Sequence, residues 1–263
     1  VSYLRVQASI KRSYEDRIAM ANIIGKYIEH LIEENLTRLY DISLSDRVDF
    51  RDKDWEPERA ALKAAYEYSM FTDGLFLVDL HGSVLLTYPY RESGMVNLLS
   101  ISHVAKAVTE RKPVISNVYT EETTGRKVVF ALVPLKNRDG EVVGAVGGAV
   151  NPTNSIMSRV LQTVQAEAAG HYIEVIDSNE IVVASDKPVR ILEHHDHGGA
   201  LGKMIKDRKA GIKTCPHGFS QTRPGGGTQD ILAFVPLQTV PWGVIFGQSE
   251  KEILAPAKQL TRN

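Results

Sequence analysis

The chain has 263 residues, which suits one large or two ordinary domains, and 43% of them are apolar, enough for real cores. Its 31 Lys and Arg are balanced by 32 Asp and Glu, for a formal net charge of −1, which gives no support for nucleic-acid binding through a basic face. A single cysteine, Cys215, rules out an internal disulfide.

The sequence opens on Val1 and not on Met, has no signal-peptide pattern, and reads as cut or processed from something longer. Its longest apolar run, residues 142–150, is nine residues, about half of what a spanning helix needs. Apolar residues at Ile23, Ile24, Tyr27, Ile28, Leu31, Ile32, Leu36, Leu39 and Tyr40 fall three or four apart and mark one stripe along a helix. The pattern extends back to residue 9 and on to residue 42, about 50 Å of rod at roughly 1.5 Å per residue. A two-stranded coiled coil is one reading; a stripe wider than an a/d seam favours a helix packed on sheets.

A polar stretch over 45–54 leads into a second helix over 55–69, where Glu56, Pro57 and Glu58 suit a first turn. Residues 74–79 and 84–88 read as a hairpin turning at Gly82. Residues 89–99 are irregular, and Ser102 is placed to cap a helix over 103–110 that Pro113 stops. Strands follow over 114–119, over 127–135 (ended by Pro134) and over 142–150, the last two joined by an Asp139-Gly140 turn. The segment 73–150 is therefore β-β-α-β-β-β in one antiparallel sheet. A helix over 151–164 carries Pro152 near its start. Strands over 172–177 and 181–185, a short helix over 200–207, strands over 230–237 and 242–249, and an exit helix over 251–260 complete the chain.

The pattern repeats. Residues 75–79 (LFLVD) match 173–177 (IEVID) at an offset of 98, and 131–135 (ALVPL) match 233–237 (AFVPL) at 102. Residues 143–146 (VGAV) have a counterpart in 242–245 (WGVI). Three matches in one order indicate a duplicated sheet module.

A long helix before two such modules resembles the double Cache sensor domains of prokaryotic histidine kinases, chemoreceptors and cyclic-dinucleotide enzymes. The stretches that carry the likeness are 73–79 (DGLFLVD), 107–116 (AVTERKPVIS), 129–135 (VFALVPL) and 139–146 (DGEVVGAV). The resemblance implies an α+β fold with two tandem PAS-like modules, each an antiparallel sheet flanked by helices. Its expected division is a long helix over 1–44, a membrane-distal module over 45–164, a membrane-proximal module over 165–250 and a helix toward the membrane over 251–263. It also implies a periplasmic or extracellular position between two membrane helices outside this sequence, in a receptor that is a homodimer, most often a sensor histidine kinase.

The distal pocket of that family is roofed by the segment after the second strand and walled by the strands beyond the short helix. In this sequence those places offer Tyr88, Arg91, Ser102, His103, Tyr119, Glu121, Phe130, Leu132, Gly147 and Ala149 as ligand-binding candidates. Aromatic walls with a few polar groups suit a small organic molecule, and Arg91 or His103 could meet a carboxylate. Amino-acid-binding members carry an Arg-x-Trp pair before the pocket and an acid on the last strand. Here those places read Ser100-Ile101-Ser102-His103 and Ala149, so the ligand expected is a small carboxylate or a neutral molecule and not a free amino acid.

Other chemistry is weaker. Gly144-Ala145-Val146-Gly147-Gly148 lies inside a strand, not at a strand-to-helix turn, so its glycines admit a close neighbour and do not cradle phosphate. His194-His195-Asp196-His197 reads as a solvated loop before a metal site, since neighbours in extended chain point apart. Cys215 with His217 has no orienting partner, and Tyr172, Phe234 and Trp242 read as core. No catalytic constellation, cofactor or metal is expected. The alternative to a ligand sensor is a ligand-free module for dimerisation or protein interaction.

Overall fold

The computed structural model describes residues 2–45, 48–50, 54–90, 102–121, 124–165, 171–195, 198–215 and 229–253. In chain order they form α1 (Ser2–Ser43), α2 (Glu56–Tyr66), β1 (Gly74–Asp79), β2 (Val84–Tyr88), α3 (Ser102–Glu110), β3 (Val114–Ile115), β4 (Tyr119–Thr120), β5 (Lys127–Lys136) and β6 (Val142–Val150). They continue as α4 (Ile156–Gln165), β7 (His171–Asp177), β8 (Val182–Ser185), α5 (Ala200–Lys206), β9 (Gly211–Cys215), β10 (Asp230–Pro236) and β11 (Trp242–Ser249). The fold is α+β, a long first helix and two antiparallel sheets, as the sequence pattern predicts. Two compact units divide the chain: Val1–Glu29 with Ile156–Asn263, and His30–Ser155.

Strand order is β2-β1-β6-β5-β3 in the first sheet, with β4 also on β5, and β8-β7-β11-β10-β9 in the second. Each sheet thus seats its first strand beside its last. The duplication extends to single residues. A bulge falls between Leu77 and Val78 in one copy and between Val175 and Ile176 in the other. The turn beyond is closed the same way twice. Asp79 Oδ1 accepts from the amides of His81 and Ser83 at 2.8 and 2.9 Å, and Asp177 Oδ1 from those of Asn179 and Ile181 at 2.9 and 3.0 Å. Ala131 faces Gly148 while Ala233 faces Phe246, so that match keeps its register.

The third match is one residue out. Gly144 stands opposite Asp79, and the residue opposite Asp177 is Trp242, not Gly243. The two glycines therefore face opposite ways. A Cβ on Gly144 would lie 2.1 Å from the Val78 carbonyl oxygen, whereas one on Gly243 would strike the Phe234 ring at 2.3 Å.

Pro134 does not end its strand, which runs on to Lys136. β3 covers only Ala131 and Leu132, so at Pro134 that side of β5 is an edge and needs no donor. The 114–119 segment is two short strands. The helix expected over 151–164 starts as a 3-10 turn, Pro152–Asn154, capped by Asn151 Oδ1 on the Thr153 amide at 3.0 Å, and Ser155 is extended before α4 begins. β9 is a strand that the sequence reading missed. Residues 250–253 are helical, and the rest of the expected exit helix lies outside the described residues.

On α1 the buried line is Ala21, Ile24, Ile28, Ile32, Asn35, Leu39 and Ile42, narrower than the apolar pattern, with Ile23 64% and Tyr27 53% exposed. In the first unit Gly25 allows close approach: a Cβ there would sit 3.2 Å from Leu237 Cδ2. Arg17 Nη2 bonds Gln248 Oε1, and Glu29 Oε1 accepts from the amides of Gln238 and Thr239, the latter at 3.0 Å. In the second unit Asn35 Oδ1 takes the Met70 amide at 2.8 Å while its Nδ2 donates to the Leu31 carbonyl at 2.8 Å.

A Cβ on Gly148 would lie 2.3 Å from the fully buried Phe71 ring. Gly148→Ala should cost about 1–3 kcal/mol through overpacking, read as a lower urea midpoint at unchanged m-value.

Candidate functional site

Alternation along three neighbouring strands brings Phe76 and Val78 of β1, Ala145, Gly147 and Ala149 of β6, and Val128, Phe130 and Leu132 of β5 onto one face of the first sheet. Ala107 of α3 closes on this apolar cluster, with the partly buried Val84, Val114 and Tyr119 against it. The Phe76 and Phe130 rings meet edge to face at 5.9 Å and 89°, and Tyr119 tilts onto Phe130 at 5.9 Å and 45°. Ser116, fully buried, fixes the strand beneath: its Oγ accepts from the Phe130 amide at 2.9 Å and donates to the Asn117 carbonyl at 2.6 Å.

Of the expected ligand residues, Tyr119, Phe130, Leu132, Gly147 and Ala149 come together on this face. Phe76 already lies over Gly147, where a Cβ would meet its ring at 2.4 Å; the close neighbour that the glycine admits is the chain's own side chain. Tyr88 pairs with Leu75, whose side chain points to the opposite face, and it stacks on Tyr66 of α2 at 5.5 Å and 68°. Glu121 follows β4; its carboxylate bonds Thr124 Oγ1 and lies 3.5 Å from Arg126 Nε, and Arg126 also reaches Asp73 at 3.1 Å. Ser102 and His103 form the start of α3, of which the backbone alone is described there, and Arg91 is outside the described residues. Sequence reasoning missed Phe76 and Ser116. A strand partner for Phe76 is not written in its own segment, and Ser116 sits in an irregular stretch.

The second sheet answers this apolar face with charge. Register makes Glu174 the counterpart of Phe76, since Phe76 faces Gly147 as Glu174 faces Ile245. Glu174 is fully buried; its Oε1 takes Arg190 Nε at 3.0 Å and its Oε2 meets His195 Nε2. His195 is therefore not in a solvated loop: it is 6% exposed, and its amide donates to the Glu180 carbonyl at 2.8 Å. His194 bridges to Ile181, while Asp196 and His197 lie outside the described residues. Among those residues no three His, Cys, Asp or Glu are grouped to hold a metal. Cys215 is buried in the apolar cluster with Tyr172, Leu232 and Phe234.

Burial alone would push the Glu174 carboxyl up, but the hydrogen bond and charge of His195, with those of Arg190, outweigh it and hold the group below its ordinary value. Asp186 moves the other way, raised mainly by burial and further by Glu174, against the Ile173 amide and Lys187. Burial, then Asp230 and Glu174, push the Tyr172 phenol well up.

Residues 5–257 match the family model of the Cache domain. The chain belongs to the Cache domain family. No curated protein matches it in sequence. Among solved structures, this Cache domain is similar to the extracellular domain of rpHK1S-Z16, assigned as a histidine kinase, at 15% identity and TM-score 0.71, over 93% of this chain and 98% of that one. It is similar to the ligand-binding domain of the Pseudomonas fluorescens chemoreceptor CtaA, solved with L-leucine, at 12% identity and TM-score 0.67, over 93% and 98%. With an extracellular ligand binding receptor from Desulfohalobium retbaense the identity is 11% and the TM-score 0.66, over 87% of this chain and 39% of that one. At these identities the likeness is one of fold.

Ser116→Ala leaves the Phe130 amide without its acceptor and should cost about 1–3 kcal/mol of unfolding free energy, measured by urea titration. Glu174, with a lowered folded value, contributes stability that is present above its ordinary 4.5 and lost as pH falls through the folded value. The stability gap between wild type and Glu174→Gln should therefore be open at neutral pH and close toward strong acid. An equal gap at both ends of a pH series of urea titrations contradicts this assignment.

Proposed function

We propose that this chain is the extracytoplasmic ligand-sensing domain of a transmembrane signalling receptor, of the sensor histidine kinase type, and that it is not itself an enzyme. No helix among the described residues is long and apolar enough to cross a membrane, so the membrane anchor in this reading belongs to the full-length protein. The ligand is a small organic molecule bound over the Phe76–Phe130–Tyr119 face of the first sheet, in the module of residues 45–164. The observation that carries this reading is that face itself: aromatic rings and small residues on one face of the sheet, under α3, within a Cache domain.

The ligand class is read from the residues around that face. The position of an ammonium-holding acid is Ala149, 6% exposed among apolar neighbours. The acid of the candidate set, Glu121, is already bonded to Thr124 and near Arg126. A small carboxylate, met by His103 or Arg91, or a neutral molecule fits better than a free α-amino acid. CtaA was solved with L-leucine, and that describes CtaA.

A second reading, a ligand-free module for dimerisation or protein interaction in a chemoreceptor or cyclic-dinucleotide enzyme, is favoured by Met20, Ile23 and Tyr27, which are 40%, 64% and 53% exposed on one side of α1.

The test is a thermal-shift comparison of short carboxylates with their α-amino analogues. A bound compound at a hundredfold excess over Kd stabilises by about 2.7 kcal/mol. One carboxylate should raise Tm more than its amino analogue, and Tyr119→Ala with His103→Ala should abolish the rise while remaining folded. A full shift retained by that variant rejects the site, and a larger shift with the amino acid rejects the ligand class.

A further inference from the structure

The second sheet repeats the strand order of the first, with β9 in the places of both β3 and β4, yet on the equivalent face it carries Tyr172, Glu174, Asp230 and Cys215 where the first carries Gly74, Phe76, Val128 and Tyr119. A carboxylate with no exposed surface needs a cation and hydrogen-bond donors to remain ionised. Arg190 supplies both. Its side chain is 25% exposed, so it enters from outside and ends at Glu174, 3.0 Å from Oε1. It comes from the segment after β8. In chain order that segment corresponds to the one after β2: Ser185 faces Glu174 as Thr87 faces Phe76.

The surroundings select for positive charge. Asp186 lies near enough for the Glu174 charge to raise it, and Asp230 and Glu174 both act on Tyr172. Glu174, Asp186 and Asp230 are each buried. Asp186 Oδ2 is buried and accepts no hydrogen bond; its cationic neighbour, Lys187 Nζ, is 3.9 Å away. Among the described residues, Arg190 and His195 act on Glu174, Glu174 in turn acts on Asp186 and on Tyr172 of its own strand, and Asp230 on β10 and Cys215 on β9 act on Tyr172.

We propose that the second module holds a recognition site for a guanidinium or amine cation, with Glu174 as its anchor, and that Arg190 fills it as a built-in ligand. His195 completes the anchor by holding the other carboxylate oxygen. A free cation of this class enters only when Arg190 is withdrawn. The site is separate from the one proposed on the first sheet, and its test varies only Arg190 and Glu174, both in the unit formed by Val1–Glu29 and Ile156–Asn263. Its failure therefore leaves the first-sheet reading standing.

The experiment is rescue of the truncated side chain in the full chain. Arg190→Ala should lower Tm. Methylguanidinium chloride should restore it in a saturable, dose-dependent way, while methylurea, neutral and of the same shape, should not. The same titration on Arg190→Ala with Glu174→Gln should give no rise. A rise of equal size in both variants, or no difference between methylguanidinium and methylurea on Arg190→Ala, overturns the proposal. Should Arg190→Ala not fold unaided, refolding yield carries the same comparison: recovery with methylguanidinium and not with methylurea supports the site, and equal yields in the two reject it.

Discussion

The constraint on which the rest depends is the pairing of first strand with last. β1 lies against β6 from Gly74–Ala149 to Asp79–Gly144, and β7 against β11 from His171–Gln248 to Asp177–Trp242. Once these ends are joined, everything between them is an excursion that must leave the sheet and return to it. The entropy of closing so long a loop grows only slowly with its length, so the excursion can carry a helix and a covering segment at little extra cost. α3 in one copy and α5 in the other are those helices, packed on the face that carries Phe76 of β1 or Glu174 of β7. Register does the remaining work, because a slip of one residue would turn each such face over. The paired aspartates, Asp79 and Asp177, and the bulge just before each hold that register at the same point in both copies.

With the backbone thus fixed, the two copies are free to differ in what they hold. At one position the first has Phe76, stacked on Phe130, and the second has Glu174, tied to Arg190 and His195. The same scaffold gives a surface for apolar and aromatic contact in one case and a charged interior in the other. That fold and site vary separately is the general rule; here the rule operates within one chain.

Much of this was legible in the sequence because it rests on periodicity. Strands with alternating or continuous apolar runs, the long stripe of α1 and the recurrence of LFLVD and ALVPL all announce themselves locally. What stayed hidden was set by partners far along the chain. Pro134 reads as a stop until β3 proves too short to reach it. His195 reads as one of a polar run until Glu174 appears beneath it. Gly144 and Gly243 look alike, and their neighbours, the Val78 carbonyl and the Phe234 ring, reveal that they serve different ends. β9 has one buried residue in five, too little contrast to mark a strand. At the candidate site, Phe130, Leu132 and Ala149 follow from the family resemblance and share one face, whereas Tyr88, which the same resemblance offers, does not. Its pairing with Leu75 turns it toward α2.

The consecutive glycines of β6 have one more consequence. Phe76 rests on Gly147 from one side of the sheet and Phe71 rests on Gly148 from the other. Between these two rings the partition is a bare main chain, with no methyl or methylene to cushion it. A molecule that leans on Phe76 presses on a wall one peptide thick, and the next atoms behind that wall belong to the opposite core.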